Sequence, residues 1–170
     1  WVSRPSAEFR GFSGTVVAGA VAVGDDVRIL PSGENAKVQE IVLYHDKLER
    51  AQAEQAVTLV LDREVDVSRG DVIVATESPC EVSDQFDASL VWMDQEQGYV
   101  GRSYWLMIGT TRINATISDI KFRYNINTLE QLSSRGFNLN DIGRVTLSFD
   151  QAVPFETYDN CKGLGSFVLI

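Results

Sequence analysis

Short apolar runs alternate with turn residues along the first 80 positions of the chain. The polar stretch His45–Gln55 predicts a loop, and Pro31–Asn35 predicts a turn because Pro, Gly and Asn favour turn conformations. The slipping alternation through Ile41 indicates a β-bulge. Closely spaced short runs without helical periodicity are typical of a barrel or a small sandwich. The predicted strands are Phe12–Ala22, Val27–Leu30, the run through Val38, Ile41 and Leu43, Val57–Leu61 and Val72–Ala75.

The second half of the chain also alternates short apolar runs with turn residues, but its sequence does not repeat that of the first half. One helical turn is predicted at Leu129–Leu132, and the stretch Val153–Leu164 is irregular. The pattern therefore predicts an all-β protein of two small antiparallel β-barrels, at 1–78 and 85–170, joined by a linker at 79–84. The apolar pattern stops at Ile170, so we expect the second barrel to lack its last strand. The predicted strands are Phe86–Met93, Ser103–Ile108, Arg112–Tyr124, Val145–Phe149 and Gly165–Ile170.

Charge and composition narrow the classes of partner. The chain of 170 residues carries 24 acidic and 15 basic side chains, a net charge of −9. Phosphate contacts need clustered Lys and Arg, so we expect no nucleic-acid partner. The sequence has neither an apolar run of membrane-spanning length nor a signal peptide, so we expect no membrane partner and a cytoplasmic location. The chain begins at Trp1 instead of Met, so we expect it to be part of a longer protein.

Two cysteines, Cys80 and Cys161, allow one disulfide bridge. Free thiols in a reducing compartment are the favoured alternative, and zinc is excluded because neither cysteine has spaced Cys or His neighbours.

Several motifs suggest chemistry, and a structural explanation is favoured for each. The glycines Gly11, Gly14 and Gly19 lack the spacing of a phosphate-binding loop and precede no predicted helix, and Gly163–Ser166 fails the same test. Arg69–Asp71 matches an adhesion tripeptide but lies in a turn before a strand. Asn114–Thr116 is a formal glycosylation acceptor, relevant only to a secreted protein.

Catalytic side chains are equally sparse. His45 is the single histidine and has no serine close by in sequence, so a Ser-His-Asp arrangement is disfavoured. The carboxylates of Asp25 and Asp26, and of Asp94 and Glu96, fall in predicted turns. Aromatic side chains fit a barrel core or a partner interface better than a base-stacking surface; they are Trp92, Tyr99, Tyr104, Trp105 and Phe122. We therefore assign no catalytic, cofactor-binding or metal-binding residue.

Three turn motifs together resemble the second-domain barrel of translation-factor-type GTPases: Gly14–Gly19, Val23–Asp25 and Arg69–Val72. Flanking segments extend the resemblance over the whole chain, to the large, GTPase subunit of bacterial sulfate adenylyltransferase. These segments are Arg4–Pro5, Phe9–Phe12, Leu30–Gly33, Val57–Leu61, Asp66–Asp71, Val91–Met93, Ile126–Leu129, Leu139–Gly143, Leu147–Asp150 and Gly165–Ile170. Phe122–Asn125 departs from the family pattern, and the family's final Gly-rich strand is lacking.

The resemblance implies a non-catalytic role for this chain within a larger enzyme. It implies an elongation-factor domain-2-like barrel and a truncated domain-3-like barrel that follow a GTPase domain, which would bind GTP and Mg outside this chain. It also implies a small partner subunit that forms adenosine 5′-phosphosulfate from ATP and sulfate, in sulfate assimilation and cysteine biosynthesis. We expect the chain alone to be inactive and to transmit nucleotide state mechanically. The alternatives are a translation-factor module that binds aminoacyl-tRNA, which the acidic charge disfavours, and a stand-alone structural barrel pair.

Overall fold

The structure of the protein is a computed structural model that describes residues 2–6 and 9–170, so Trp1 lies outside it. Contacts divide the chain into two compact units. The first unit takes in the chain up to Val82 together with 108–111 and 153–167, and the second takes in 83–107, 112–152 and 168–170. The sequence-based boundaries, 1–78, 79–84 and 85–170, stay a prediction beside this division.

The first unit is built on a seven-stranded sheet. Its order is β1-β2-β8-β5-β4-β9, with β6 paired to β5, while β3 and β7 form a separate pair. Val, Ile and Leu side chains of β4, β5 and β8 fill the core, and Ile29 and Ile41 are fully buried. The strands are β1 Val2–Ser6, β2 Phe9–Thr15, β3 Ala20–Ala22, β4 Asp26–Leu30, β5 Asn35–Leu43, β6 Asp46–Leu48, β7 Arg50–Gln52, β8 Ala56–Leu61 and β9 Val72–Ala75.

The second unit is built on a six-stranded sheet in the order β10-β16-β13-β12-β17, with β14 paired to β13 and a separate pair β11-β15. Its core joins aliphatic side chains to Phe137 and Trp92, whose rings stack with centroids 6.5 Å apart. The strands are β10 Glu81–Val91, β11 Gly98–Tyr99, β12 Ser103–Ile108, β13 Thr111–Tyr124, β14 Gln131–Leu132, β15 Gly136–Phe137, β16 Ile142–Phe155 and β17 Phe167–Leu169, some of whose end residues fall in the first unit. The short helix α1, Lys162–Gly165, lies within the first unit's range 153–167. The predicted all-β class with antiparallel sheets is confirmed.

Two sequence predictions in the first unit were wrong in detail. The strand predicted over Phe12–Ala22 is two strands, because the chain leaves the extended conformation after Thr15 and Gly19 has φ +68°. The loop predicted over His45–Gln55 contains β6 and β7. Ala51 of β7 is fully buried opposite Val21, so tertiary pairing overrides a locally polar sequence. The bulge predicted in β5 is confirmed by a register shift between Val38 and Glu40.

The later irregular stretches also differ from their predictions. The stretch 129–132 contains β14 in place of a helical turn, and a turn closed by the Leu129 N–H on the Asn125 carbonyl, 2.7 Å, precedes it. The stretch predicted as irregular from Val153 holds the end of β16, which reaches Phe155, and the single helical turn α1.

Candidate functional site

Aspartates in the turns of both units are engaged by the backbone. The carboxylates of Asp25, Asp71 and Asp141 each accept a hydrogen bond from the N–H three residues earlier, at 2.7–2.8 Å. A side chain that closes its own turn in this way stabilises the turn geometry. These carboxylates therefore serve the fold.

The adhesion-like tripeptide forms one of these turns. Asp71 closes it, and Gly70 takes φ +104°, a conformation that L side chains rarely adopt. The hydroxyl of Thr111 donates a hydrogen bond to the Gly70 carbonyl at 3.1 Å. All three groups belong to the first unit, where they fix the approach to β9.

The glycine motifs lie on strands and in turns. Gly14 is in β2, and Gly19 lies in the bend before β3. The later motif includes α1, which has four residues and no side-chain cap. A Cβ on Gly165 would lie 2.4 Å from backbone atoms of Tyr158, so close packing explains that glycine.

The remaining polar candidates are exposed and separate. His45 lies exposed in the turn before β6, and Asp26 pairs with Lys37 at 3.0 Å. Asp94 accepts a hydrogen bond from the Glu96 N–H at 3.0 Å. Asn114, exposed on β13, contacts the Asp150 carboxylate at 3.5 Å.

The aromatic side chains divide between core and surface. Trp92 is buried, donates its indole N–H to the Glu96 carbonyl at 2.7 Å, and meets the Tyr104 ring edge to face. Burial raises the pKa of Tyr104. Trp105 is exposed, and the Arg112 guanidinium lies 4.4 Å from its ring centroid. These aromatic residues could be singled out from the sequence, but their cation partners could not.

A second stacking cation is Arg102. Its guanidinium lies over the rings of Tyr99 and Tyr104, 5.8 and 5.4 Å from their centroids, and pairs with Glu96 at 3.1 Å. Hydrogen bonding to Glu96 raises the pKa of Arg102. The charge of Arg102 is thus already matched within the second unit.

Both cysteines are free thiols, Cys161 buried and Cys80 partly so. Burial raises the pKa of the Cys80 thiol, which makes the nucleophilic thiolate scarcer at neutral pH. Across residues 2–6 and 9–170, no three potential metal-ligating side chains gather into a group.

An apolar surface in the second unit is the feature that the sequence analysis missed. Tyr124, Ile126, Leu129 and Ile142 line an open groove of about 280 Å³, and we call this surface the outer face. Ile126 is 64% exposed and Leu129 is 74% exposed. Solvent-exposed apolar groups that gather in one place are typical of interaction sites, whereas single ones need no explanation.

Within the part of the chain that the structure describes, no helix has the length and apolarity that a membrane crossing requires.

The chain is similar over its full length to curated bacterial proteins. It is 46% identical over 170 residues to the bifunctional enzyme CysN/CysC of Xylella fastidiosa, covering 100% of this chain and 27% of that protein. It is 39% and 42% identical to sulfate adenylyltransferase subunit 1 of Aliarcobacter butzleri and of Saccharophagus degradans, covering 100% of this chain and 36% of each. The chain thus spans about a third or less of these relatives' length. The resemblance read from the sequence is confirmed.

Solved structures agree on the fold. Sup35 complexed with GDP superposes with a TM-score of 0.86 at 17% identity, covering 98% of this chain and 42% of that chain. Sup35 complexed with GMPPNP gives a TM-score of 0.82 at 17% identity, over 94% of this chain and 40% of that one. Residues 85–170 match the family model described as GTP-eEF1A C-terminal domain-like, and this chain belongs to that family.

Proposed function

We propose that this chain is the non-catalytic β-barrel region of a sulfate adenylyltransferase subunit 1. In a protein of its relatives' length, a GTPase domain would bind GTP and Mg. A small subunit would form adenosine 5′-phosphosulfate from ATP and sulfate, and GTP hydrolysis would drive that reaction. The pathway would be cytoplasmic sulfate assimilation, which leads to cysteine.

One observation carries the proposal: the similarity to proteins of that name is unbroken over all 170 residues. The geometry of the described residues supports a scaffold role, because the turn carboxylates of Asp25, Asp71 and Asp141 are engaged by backbone N–H groups. Antiparallel β units with buried apolar cores suit a part that transmits a change of state between a nucleotide site and a partner.

The experiment is reconstitution of the enzyme from its two subunits. A full-length subunit containing this chain is mixed with the small subunit of the same organism, and adenosine 5′-phosphosulfate is measured from ATP and labelled sulfate. We expect product formation to require GTP and to fall when a non-hydrolysable GTP analogue replaces it. Equal product without GTP would contradict the coupling, and absence of product with both subunits present would contradict the assignment.

The same preparation tests the translation-factor alternative. Aminoacyl-tRNA is added to the full-length subunit in a filter-binding assay at moderate salt. We expect no retention above that of an acidic control protein, because a net charge of −9 disfavours a phosphate footprint.

A further inference from the structure

A turn closed by several hydrogen bonds presents two bulky apolar side chains of the outer face to solvent. The Asn125 side chain accepts hydrogen bonds from the N–H groups of Asn127 and Thr128, at 3.0 and 3.4 Å. The Asn125 backbone bonds to Leu129 at 2.7 Å and to Glu130 at 2.9 Å. These four bonds hold the turn that carries Ile126 and Leu129, so their side chains project from an ordered backbone.

Leu129 occupies a backbone conformation that disfavours it. Its φ is +61°, in the left-handed region that Gly or Asn adopts at much lower cost. The side chain is 74% exposed, so burial within this chain returns little free energy for that strain. A strained, exposed leucine on an ordered turn is a feature that contact with another molecule would explain.

Strand register places an aromatic pair and an arginine beside this turn. Phe122 on β13 lies opposite Arg144 on β16, and the rings of Phe122 and Tyr124 meet edge to face with centroids 5.0 Å apart. Ile142 and Arg144 are both exposed two residues apart, so their side chains share one face of the strand. Aromatic and arginine side chains are enriched where interfaces draw their binding energy.

Arg144 has no ion pair or ring contact among the described residues. Within the second unit, Arg102, Lys121 and Arg123 each pair with a carboxylate, and Arg112 lies over Trp105. Arg135, like Arg144, has no such partner among the described residues, but only Arg144 lies on the strand face that carries Ile142. An unpaired guanidinium at the edge of an apolar surface fits an occupant that combines apolar side chains with a carboxylate at its rim.

We propose that the outer face, with Arg144 at its edge, docks the small subunit through an apolar ridge flanked by an acidic side chain. This proposal rests on the proposed function, which supplies a partner subunit. The relatives' name, subunit 1, implies such a partner for those proteins.

The test measures affinity between the full-length subunit and the purified small subunit by isothermal titration calorimetry. Leu129→Gly removes the side chain where glycine suits the backbone, so we expect at least tenfold weaker binding with an unchanged melting temperature. Ile126→Ser should weaken binding similarly. Val100→Ser, which alters an apolar residue 46% exposed in another turn of the same unit, is the matched control and should bind like the wild type.

The contribution of charge is tested with Arg144→Glu. We expect severalfold weaker binding, together with a smaller loss of affinity when salt is raised from 50 to about 300 mM, because the attractive pair is gone. Wild-type affinity in both Leu129→Gly and Ile126→Ser would overturn the proposal.

Three further outcomes separate the proposed function from the proposed docking surface. Failure of the wild-type subunits to associate would contradict both the proposed function and the proposed docking surface. If all variants associate normally and form adenosine 5′-phosphosulfate in a GTP-dependent way, the docking surface is contradicted and the proposed function is not. A variant that lowers the melting temperature of the unmixed subunit, or changes its oligomeric state in light scattering, would instead assign the face to a contact within or between copies of that subunit, and would also overturn the proposal.

Discussion

The two units share an antiparallel β architecture but differ in what they leave on the surface. Thirteen of the nineteen exposed large hydrophobic side chains of the described residues belong to the second unit, which is the smaller of the two. In the first unit the most exposed is Tyr44, at 90%, in a turn beside a groove of about 330 Å³ whose lining includes Leu43 and Val57. In the second unit, three of the exposed side chains line a groove together with Tyr124. Two units of the same antiparallel β class thus differ in how many large apolar side chains they leave exposed.

Their interiors differ as well. The first unit's core cluster is aliphatic apart from Phe12. In the second, the ring of Phe137 is fully buried and stacks on Trp92, which meets Tyr104 edge to face. Large rings with few rotamers give the second unit more contact area per core residue, which suits a small unit with much apolar surface in water.

Removing the central ring of the second unit should have the largest effect. Phe137→Ala deletes a fully buried ring, and we expect the free energy of unfolding to fall by about 4 kcal/mol. Urea denaturation followed by tryptophan fluorescence measures it, since Trp92 stacks on that ring. Tyr99→Ala, which removes a half-exposed ring, is the control and should cost about 1 kcal/mol or less. Equal losses would contradict an aromatic core.

A glycine substitution compares packing in the two units. A Cβ on Gly143 would lie 2.4 Å from the Phe122 carbonyl oxygen and 2.7 Å from the Phe137 ring, so Gly143→Ala should cost about 2 kcal/mol. Gly14→Ala in the first unit meets nothing within 4 Å and should change stability by about 0.5 kcal/mol or less. Thermal unfolding monitored by circular dichroism measures both. A Gly143→Ala protein as stable as Gly14→Ala would show that β16 and the ring can separate at little cost.

Strands in which apolar and polar residues alternate over several positions could be predicted from the sequence. The bounds of β12, Ser103–Ile108, agree residue for residue, and β13 begins one residue before its prediction. The local pattern decides such strands because alternate side chains enter the core. The strand β7 could not be found in this way, since Ala51 alone of its three residues is buried and its pairing with β3 is set by tertiary structure.

The outer face was missed for a related reason. The spacing of Leu129 and Leu132 imitates a helical turn, whereas the side chain of Asn125 competes for the backbone N–H groups and closes a different turn. The signal that could have revealed it is Asn125 followed two and three residues later by Asn127 and Thr128, a pattern typical of turns closed by a side chain.

Substitution of two residues with positive φ should change stability less than the substitutions above, and tests whether an exposed side chain supports the fold. Tyr44 and Leu129 are both highly exposed and have φ of +57° and +61°. In Tyr44→Gly and Leu129→Gly, relief of strain offsets the entropy lost by glycine, so we expect stability to change by about 0.5 kcal/mol or less in each. Urea unfolding measures this. A loss above 2 kcal/mol in Leu129→Gly would show that its side chain supports the fold, which would contradict its assignment to a docking surface.

Acid should lower the stability of the first unit by protonating its hydrogen-bonded carboxylates. This is the smallest of the predicted effects. The Lys37 N–H, 2.8 Å from the Asp62 carboxylate, lowers the pKa of Asp62, and the Thr157 N–H lowers the pKa of Glu156. Because the folded pKa lies below the unfolded one, this stabilisation is present above the unfolded pKa and is lost as pH falls through the folded pKa.

Asp62→Asn keeps an acceptor oxygen but cannot ionise, so it isolates the charge. We expect wild type to be more stable than Asp62→Asn at pH 7 and the difference to shrink below about pH 4. Chemical denaturation at several pH values measures the difference, with Asp159→Asn in an exposed turn as the control. A difference that stays constant down to about pH 2 would mean that the bond, independent of charge, supplies the stability. In that case the two units would not differ in acid sensitivity on account of Asp62.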